Sequence, residues 1–178
     1  LPRLVPGSSA VVIGVGGLGS VAVQLLRALS PARVLALDVR EVSRALALRF
    51  GAHVALDARE VGAAEVREEL GGGAALVLDF VGNDDTLALA ARTLEIGGGV
   101  ALVGLGGGTF PMTFGEAPLE WSLTRPTWGT LPELHEVVAL ARAGAIEIAV
   151  ERLALEEAPD GYRRLHDGEV EGRAVVVP

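Results

Sequence analysis

A glycine-rich segment near the amino terminus constrains the fold of this chain more than any other feature. Residues Gly14–Gly19 have the sequence GVGGLG, spaced as G-x-G-x-x-G, and the aliphatic run Ala10–Val15 ends in this motif. Apolar residues then recur at helical spacing over Leu18–Leu29, ahead of Pro31. This order predicts a buried strand, a tight turn and a helix that opens on the glycines.

Strand and helix patterns continue to alternate after this first unit. Further aliphatic runs, each predicting a strand, cover Arg33–Leu37, His53–Leu56, Ala75–Phe80 and Gly99–Val103. Helical spacing covers Glu41–Phe50, Glu60–Leu70 and Asp84–Leu94. Alternation of this kind indicates βαβ units around a parallel sheet. The predicted fold class is therefore α/β, a Rossmann-type doubly wound parallel sheet that forms a single three-layer domain over residues 1–178.

The second part of the chain is less regular at first. Residues 104–126 contain several prolines and leave three possibilities open: a loop, a short helix, or an edge that meets a partner. Periodic patterns then return and predict two further helices and two further strands. In chain order these are the helix Leu131–Ala143, the strand Ile146–Leu153, the helix Glu156–His166 and the strand Arg173–Val177.

Composition excludes several classes of function. The chain has no cysteine, which removes disulfides, thiolate nucleophiles and sulfur-ligated zinc, and which fits a cytoplasmic location. Its formal net charge of −8 would repel nucleic acid and anionic lipid, so neither a nucleic acid nor a membrane is expected as a partner. The uncharged stretch between Arg3 and Arg27 is interrupted by glycines and lacks a cleavage site, which argues against a membrane span or a signal peptide.

The glycine motif suits the binding of a dinucleotide pyrophosphate. Gly14 would allow the turn out of the strand, Gly16 would let a pyrophosphate approach the backbone, and Gly19 would let the helix pack closely on the sheet. The helix start offers free N–H groups and the positive end of its dipole to the phosphates, with Gly17 and Leu18 among the contacts. A purely structural turn is the alternative interpretation.

An acidic residue completes this pattern. Asp38 closes the second predicted strand 19 positions after Gly19, where it would accept hydrogen bonds from both hydroxyls of the adenosine ribose. Because its charge would repel a 2′-phosphate, the predicted cofactor is NAD rather than NADP. Arg40 weakens that preference, since it would either contact a 2′-phosphate, lie along the adenine or project into solvent.

Two later strand ends are predicted to complete the cofactor site, because ligands of open α/β sheets lie at the carboxyl ends of the strands. The expected contacts with the nicotinamide and its ribose are Val81, Gly82, Val103, Gly104 and Leu105. Asp79, beside them, is predicted to bind loop amides.

No residue in the chain is a candidate for catalysis of hydride transfer. Tyr162 has no lysine beside it, and the chain contains none. His53, His135 and His166 are dispersed, so they predict surface or helix-cap roles and form no zinc site. We therefore expect no catalytic residue and no metal ligand within this chain.

The ordered motifs resemble the coenzyme-binding domain of medium-chain, zinc-dependent alcohol dehydrogenases. The later motifs are similar to the bacterial branch that acts on secondary alcohols and ketones, and the chain ends like that family. The segments that carry the resemblance are Val11–Gly19, Val34–Asp38, Gly51-Ala52, Asp79–Gly82, Trp128–Thr130 and Gly172–Pro178.

This resemblance implies an NAD-binding half that positions NAD(H) for hydride transfer with an alcohol or ketone. The catalytic zinc and its ligands would belong to an amino-terminal domain, and the start at Leu1 together with the single methionine, Met112, indicates that the chain is part of something longer. Residues from about 148 to 178 would be the carboxyl-terminal extension that joins the zinc domain. The chain alone is expected to be inactive.

The resemblance also implies roles for individual residues. Trp128 would lie near the substrate pocket, with Thr127 replacing a larger aromatic residue before it. Arg173 would approach the pyrophosphate or else be a surface charge. Residues 104–130 would form a homo-oligomer contact, with Phe114 and Trp121 either in that interface or in a local core.

Two other functions are compatible with the motifs. A free-standing NAD-binding sensor or structural module would need no acid–base group or metal. A methyltransferase that binds S-adenosylmethionine fits less well, because that cofactor has no pyrophosphate to occupy the glycine turn.

Overall fold

A six-stranded parallel sheet forms the centre of the computed structural model, which describes residues 4–113, 115–170 and 172–178. The strands lie in the order β3-β2-β1-β4-β5-β6, so the order reverses between β1 and β4. The strands are β1 (Ser9–Ile13), β2 (Arg33–Asp38), β3 (Val54–Asp57), β4 (Ala74–Asp79), β5 (Leu94–Leu102) and β6 (Ser122–Thr124). The helices between them are α1 (Gly19–Leu29), α2 (Glu41–Arg49), α3 (Ala63–Leu70) and α4 (Asp84–Thr93).

Alternate residues of the strands pack against helices on opposite faces of the sheet. Val12 belongs to a buried cluster that includes Val23 of α1 and Leu46 of α2. Val11 belongs to a second cluster that includes Val66 of α3 and Ala90 of α4. Because helices cover both faces, the structure confirms the predicted three-layer, doubly wound α/β fold.

The predicted boundaries differ from the structure at several turns. Strand β1 ends at Ile13 rather than Val15, because Gly14 turns the chain with φ +84°. Helix α3 begins at Ala63 rather than Glu60, since its N-cap Gly62 is extended. Strand β5 begins at Leu94 and shifts its register against β4, which the sequence pattern did not indicate. Within the irregular stretch, β6 forms a short edge strand parallel to β5.

The remaining elements lie outside the large sheet. They are α5 (Leu131–Arg142), β7 (Val150–Ala154), a 3₁₀ turn, α6 (Ala158–His166) and β8 (Arg173–Val177). Strands β7 and β8 pair in parallel as a separate two-stranded sheet. Strand β7 starts later than predicted because the backbone of Glu147 binds the Gln24 side chain of α1 instead of a neighbouring strand. Among the helices of the described ranges, none combines the length and apolar character needed to span a membrane.

Candidate nucleotide-binding site

Backbone hydrogen bonds connect the carboxyl ends of β1, β2 and β4 next to the point where the strand order reverses. The Gly14 N–H donates to the carbonyl of Leu37 at 2.8 Å, and the Phe80 N–H donates to the carbonyl of Ile13 at 2.9 Å. In open α/β sheets a crevice for ligands forms at this position. The structure therefore brings the predicted glycine, acidic and β4 segments to one edge of the sheet.

Two glycines of the motif are required by close packing. A Cβ atom at Gly14 would lie 2.7 Å from Cγ2 of Val81, and the φ of Gly14 is +84°. A Cβ atom at Gly19 would lie 1.9 Å from the Gly14 carbonyl oxygen. Larger side chains at Gly14 or Gly19 would therefore force the glycine turn away from the start of α1.

The middle of the motif leaves room for an anion. A Cβ atom at Gly16 would have no neighbour within 4 Å. Helix α1 starts after Leu18 without a side-chain cap, and its first turn contains no acidic residue. The segment in front of α1 thus leaves space for a pyrophosphate at the positive end of the helix dipole.

Arg173 reaches the same turn from β8. A Cβ atom at Gly17 would lie 2.7 Å from Nε of Arg173, and the Arg173 N–H is anchored on the carbonyl of Ala149 at 2.9 Å. This arrangement places a guanidinium group beside Gly17 of the glycine turn.

Asp38 is buried at the end of β2 and connects two loops. Its Oδ2 accepts a hydrogen bond from the Val15 N–H at 2.7 Å, and its Oδ1 accepts one from the Arg40 N–H at 2.8 Å. Each carboxylate oxygen has a second lone pair that remains suited to a ribose hydroxyl. The Arg40 side chain lies 3.8 Å from Oδ1 and donates to the Gly168 carbonyl at 2.8 Å, so it is fixed beside the carboxylate.

Asp79 holds the other side of the crevice together. It is fully buried, and its Oδ1 accepts hydrogen bonds from the Val81 and Gly82 amides at 2.9 Å each, which confirms its predicted role. Its carbonyl oxygen accepts from the amides of Val103 and Gly104, while its Oδ2 is left without a partner among the described atoms. The β4 and β5 turns therefore form one unit, from which Leu105 projects with 82% of its surface exposed.

Three charged residues next to Asp38 were not predicted from the sequence: Arg44, Asp57 and Arg59. Asp57 ends β3 and is the register partner of Asp38. Its Oδ2 accepts hydrogen bonds from Nη1 of Arg44 at 3.0 Å and Nη2 of Arg59 at 2.6 Å. Hydrogen bonds from Arg59 hold the pKa of Asp57 well below its usual range. The acidic end of β3 was the available signal, but the contacts with Arg44 depend on the pairing of β2 with β3.

The aromatic residues fall into different environments. Trp128 follows the carboxyl end of β6, is 96% exposed and has a left-handed φ of +59°. Trp121 packs edge-on against Phe110 and contacts the second core cluster, which agrees with the local-core alternative. Phe114 lies outside the described residues.

The described residues do not fit a catalytic metal. Within residues 4–113, 115–170 and 172–178, no group of three or more His, Cys, Asp or Glu side chains is arranged to hold a metal ion. His53 instead has a structural contact at the sheet, where its Nδ1 accepts a hydrogen bond from the Val34 N–H at 2.9 Å.

The doubly wound sheet, the glycine turn at the start of α1 and the buried acid after β2 together define a dinucleotide-binding domain. Comparison with known proteins then identifies the family. The model for the zinc-binding dehydrogenases matches residues 17–142, and the chain belongs to this family.

Individual relatives are similar over almost the whole chain. An NAD-dependent alcohol dehydrogenase of Sulfolobus acidocaldarius is 34% identical and aligns with 99% of this chain but 52% of its own length. The crystal structure of the alcohol dehydrogenase from Aeropyrum pernix is 40% identical, with a TM-score of 0.91, and covers 99% of this chain and 52% of that one. Acetophenone reductase of Geotrichum candidum in complex with NAD is 31% identical, with a TM-score of 0.84, over 98% and 50%. The chain thus spans about half the length of these relatives.

Proposed function

We propose that this chain is the coenzyme-binding half of an NAD-dependent alcohol dehydrogenase. It would hold NAD(H) in position for hydride transfer with an alcohol or ketone. The observation that carries the proposal is the open space at Gly16, in front of an uncapped helix start and next to Arg173. The activities named for the relatives support the same reaction class.

The cofactor would extend across the carboxyl edge of the sheet. Its pyrophosphate would lie on Gly16, Gly17 and Leu18, where the helix dipole and Arg173 both favour negative charge. The adenosine ribose would bind Asp38. The nicotinamide would lie against the β4 and β5 turns, which Asp79 joins to each other through hydrogen bonds.

The preference for NAD over NADP would come from the Asp38 carboxylate. It is buried, and it accepts hydrogen bonds from the backbone N–H groups of Val15 and Arg40, which fix its position at the end of β2. A 2′-phosphate at the same ribose would face this charge at close range, whereas a hydroxyl would donate a hydrogen bond to it.

Further elements of the enzyme would come from outside the nucleotide site. No described group of residues fits zinc, so the metal centre would be supplied by residues beyond this chain, and the isolated chain would bind cofactor without turnover. Trp128 would border the substrate. Residues 104–130 would form a homo-oligomer contact, which the exposed edge strand β6 supports.

The proposal is tested by titrating the chain with NADH and following energy transfer from Trp121 and Trp128. We expect saturable binding, and we expect Gly16→Val to lower the affinity by roughly 10–100-fold because the new side chain fills the space for the pyrophosphate. Asp38→Asn should lower it by about tenfold, since it retains an acceptor for only one of the Val15 and Arg40 N–H groups and loses the charge.

A matched control is Gly72→Val, which also enters open space but lies at the opposite edge of the sheet, just before β4. This variant should bind NADH like the unsubstituted chain. Equal binding by the Gly16→Val variant would contradict the proposed site. If the chain binds NADH and exerts its biological effect without a zinc-bearing partner, a sensor or structural module would be favoured instead.

A further inference from the structure

Two arginines donate hydrogen bonds to the backbone of the turn after β2, which would bind the adenosine ribose. Nη1 of Arg44 donates to the Asp38 carbonyl at 3.1 Å, and Nη2 of Arg59 donates to the Val39 carbonyl at 2.9 Å. Both guanidinium groups therefore touch the backbone of the residues that carry and follow the ribose-binding carboxylate. Their charges lie next to the part of the site that would distinguish a 2′-hydroxyl from a 2′-phosphate.

Asp57 occupies one hydrogen-bonding edge of Arg59 and one terminal nitrogen of Arg44. It binds Arg59 through a two-point contact, Nε to Oδ1 at 2.9 Å and Nη2 to Oδ2 at 2.6 Å. The same Oδ2 accepts from Nη1 of Arg44 at 3.0 Å. The two-point guanidinium edge is the group with which arginine binds phosphates, so a phosphate would have to compete with this carboxylate.

We propose that Asp57 is a positioning residue that determines cofactor specificity. It retains Arg44 and Arg59 on the backbone of the ribose-binding turn and prevents them from binding the 2′-phosphate of NADP. This inference rests on the proposed function, in which Asp38 binds the adenosine ribose. It adds a second acidic residue, one that acts through the two arginines, to the discrimination that Asp38 exerts directly.

The test compares NADH and NADPH binding to the full chain and to Asp57→Asn by calorimetry. The asparagine retains an acceptor for the Arg59 backbone N–H but no longer neutralises the guanidinium groups. We expect the affinity for NADPH to rise about tenfold while that for NADH changes by less than about threefold. The gain should shrink as salt is added, because it comes from charge.

Two further variants separate specificity from a general structural effect. Asp57→Asn combined with Arg59→Gln should lose most of the gain, because one of the released cations is absent. Glu69→Gln breaks a comparable pair with Arg33 (2.7 Å) near the amino end of β2, and it should leave the NADPH-to-NADH ratio unchanged.

The outcomes distinguish this inference from the proposed function. A folded Asp57→Asn variant with no gain in NADPH affinity would overturn the inference, while NADH binding by the unsubstituted chain would still support the proposed function. Failure of the unsubstituted chain to bind either dinucleotide would overturn both. If Asp57→Asn does not fold, Arg59→Gln alone should change the affinity for NADPH relative to NADH by less than about threefold, because Asp57 already keeps this arginine from the 2′-phosphate; a larger loss of NADPH affinity would overturn the inference.

Discussion

The early region of the chain (residues 4–103) and the late region (residues 104–178) differ in how they bury apolar side chains. In the early region, β1 is buried along its whole length, and α1 to α4 all contribute buried residues. Beyond Ala101, the buried apolar side chains among the described residues are Ile146, Leu153 and Val170. The nucleotide-binding part thus completes its own core, whereas the later elements leave most of their apolar surface uncovered.

Helix α5 shows the difference most clearly. It has a Thr130–Glu133 capping box and a proline in its first turn, so local signals explain why it forms. None of its residues is buried, although Leu131, Leu134 and Val138 are apolar. Local capping therefore specifies a helix without specifying what it packs against, and in the proposed enzyme such faces would be available to the other half.

The largest effect on the free energy of unfolding is expected when a leucine of the early region, but not one of the late region, is replaced by alanine. Leu35 is fully buried in β2, and Leu35→Ala should cost about 2–5 kcal/mol of unfolding free energy, because it leaves a cavity between sheet and helices. Leu134→Ala, at a residue 54% exposed, should change that free energy by less than about 0.5 kcal/mol. Urea unfolding measures both, and similar losses would contradict the division into two regions.

The same contrast explains which features could be predicted from the sequence. Strands β1, β2 and β4 are continuous aliphatic runs bounded by glycine or an acidic residue, so their positions were predicted to within about two residues. Strand β6 has three exposed residues, and its pattern carries no such signal. Asp57 was missed because it lies beside Asp38 only after β3 pairs with β2, which brings side chains distant in sequence together.

An intermediate effect is expected at the contact that joins the two regions. Gln24 of α1 is buried; its amide donates to the Glu147 carbonyl at 2.8 Å and accepts from the Glu147 N–H at 2.7 Å. Gln24→Ala would leave both backbone groups unpaired and should cost about 1–2 kcal/mol. Hydrogen exchange should show faster opening around Ile146 and β7 but unchanged protection in β1.

The control for this change is Ser30→Ala, at the carboxyl end of the same helix, where the hydroxyl donates to the Leu26 carbonyl and accepts from the Ala32 N–H, both within the early region. It should leave exchange in β7 unaltered. Equal acceleration of β7 exchange by both substitutions would show that the late region depends on α1 as a whole rather than on the Gln24 contact.

The smallest effect is expected from the ion pair that links β7 to α6 in the late region. A hydrogen bond from Arg164 lowers the pKa of Glu151 below its usual 4.5. Because the folded pKa is lower than the unfolded one, the pair stabilises the region above about pH 4.5, and this contribution is lost as the pH falls through the folded pKa. Exchange protection of β7, corrected for intrinsic rates, should therefore decrease slightly between about pH 5 and pH 3.

Glu151→Gln should lower protection at pH 7 and flatten this decrease, whereas Glu156→Gln in the neighbouring 3₁₀ turn should do neither. A decrease of the same size in the Glu151→Gln variant would mean that other carboxyl groups control the acid response of the late region.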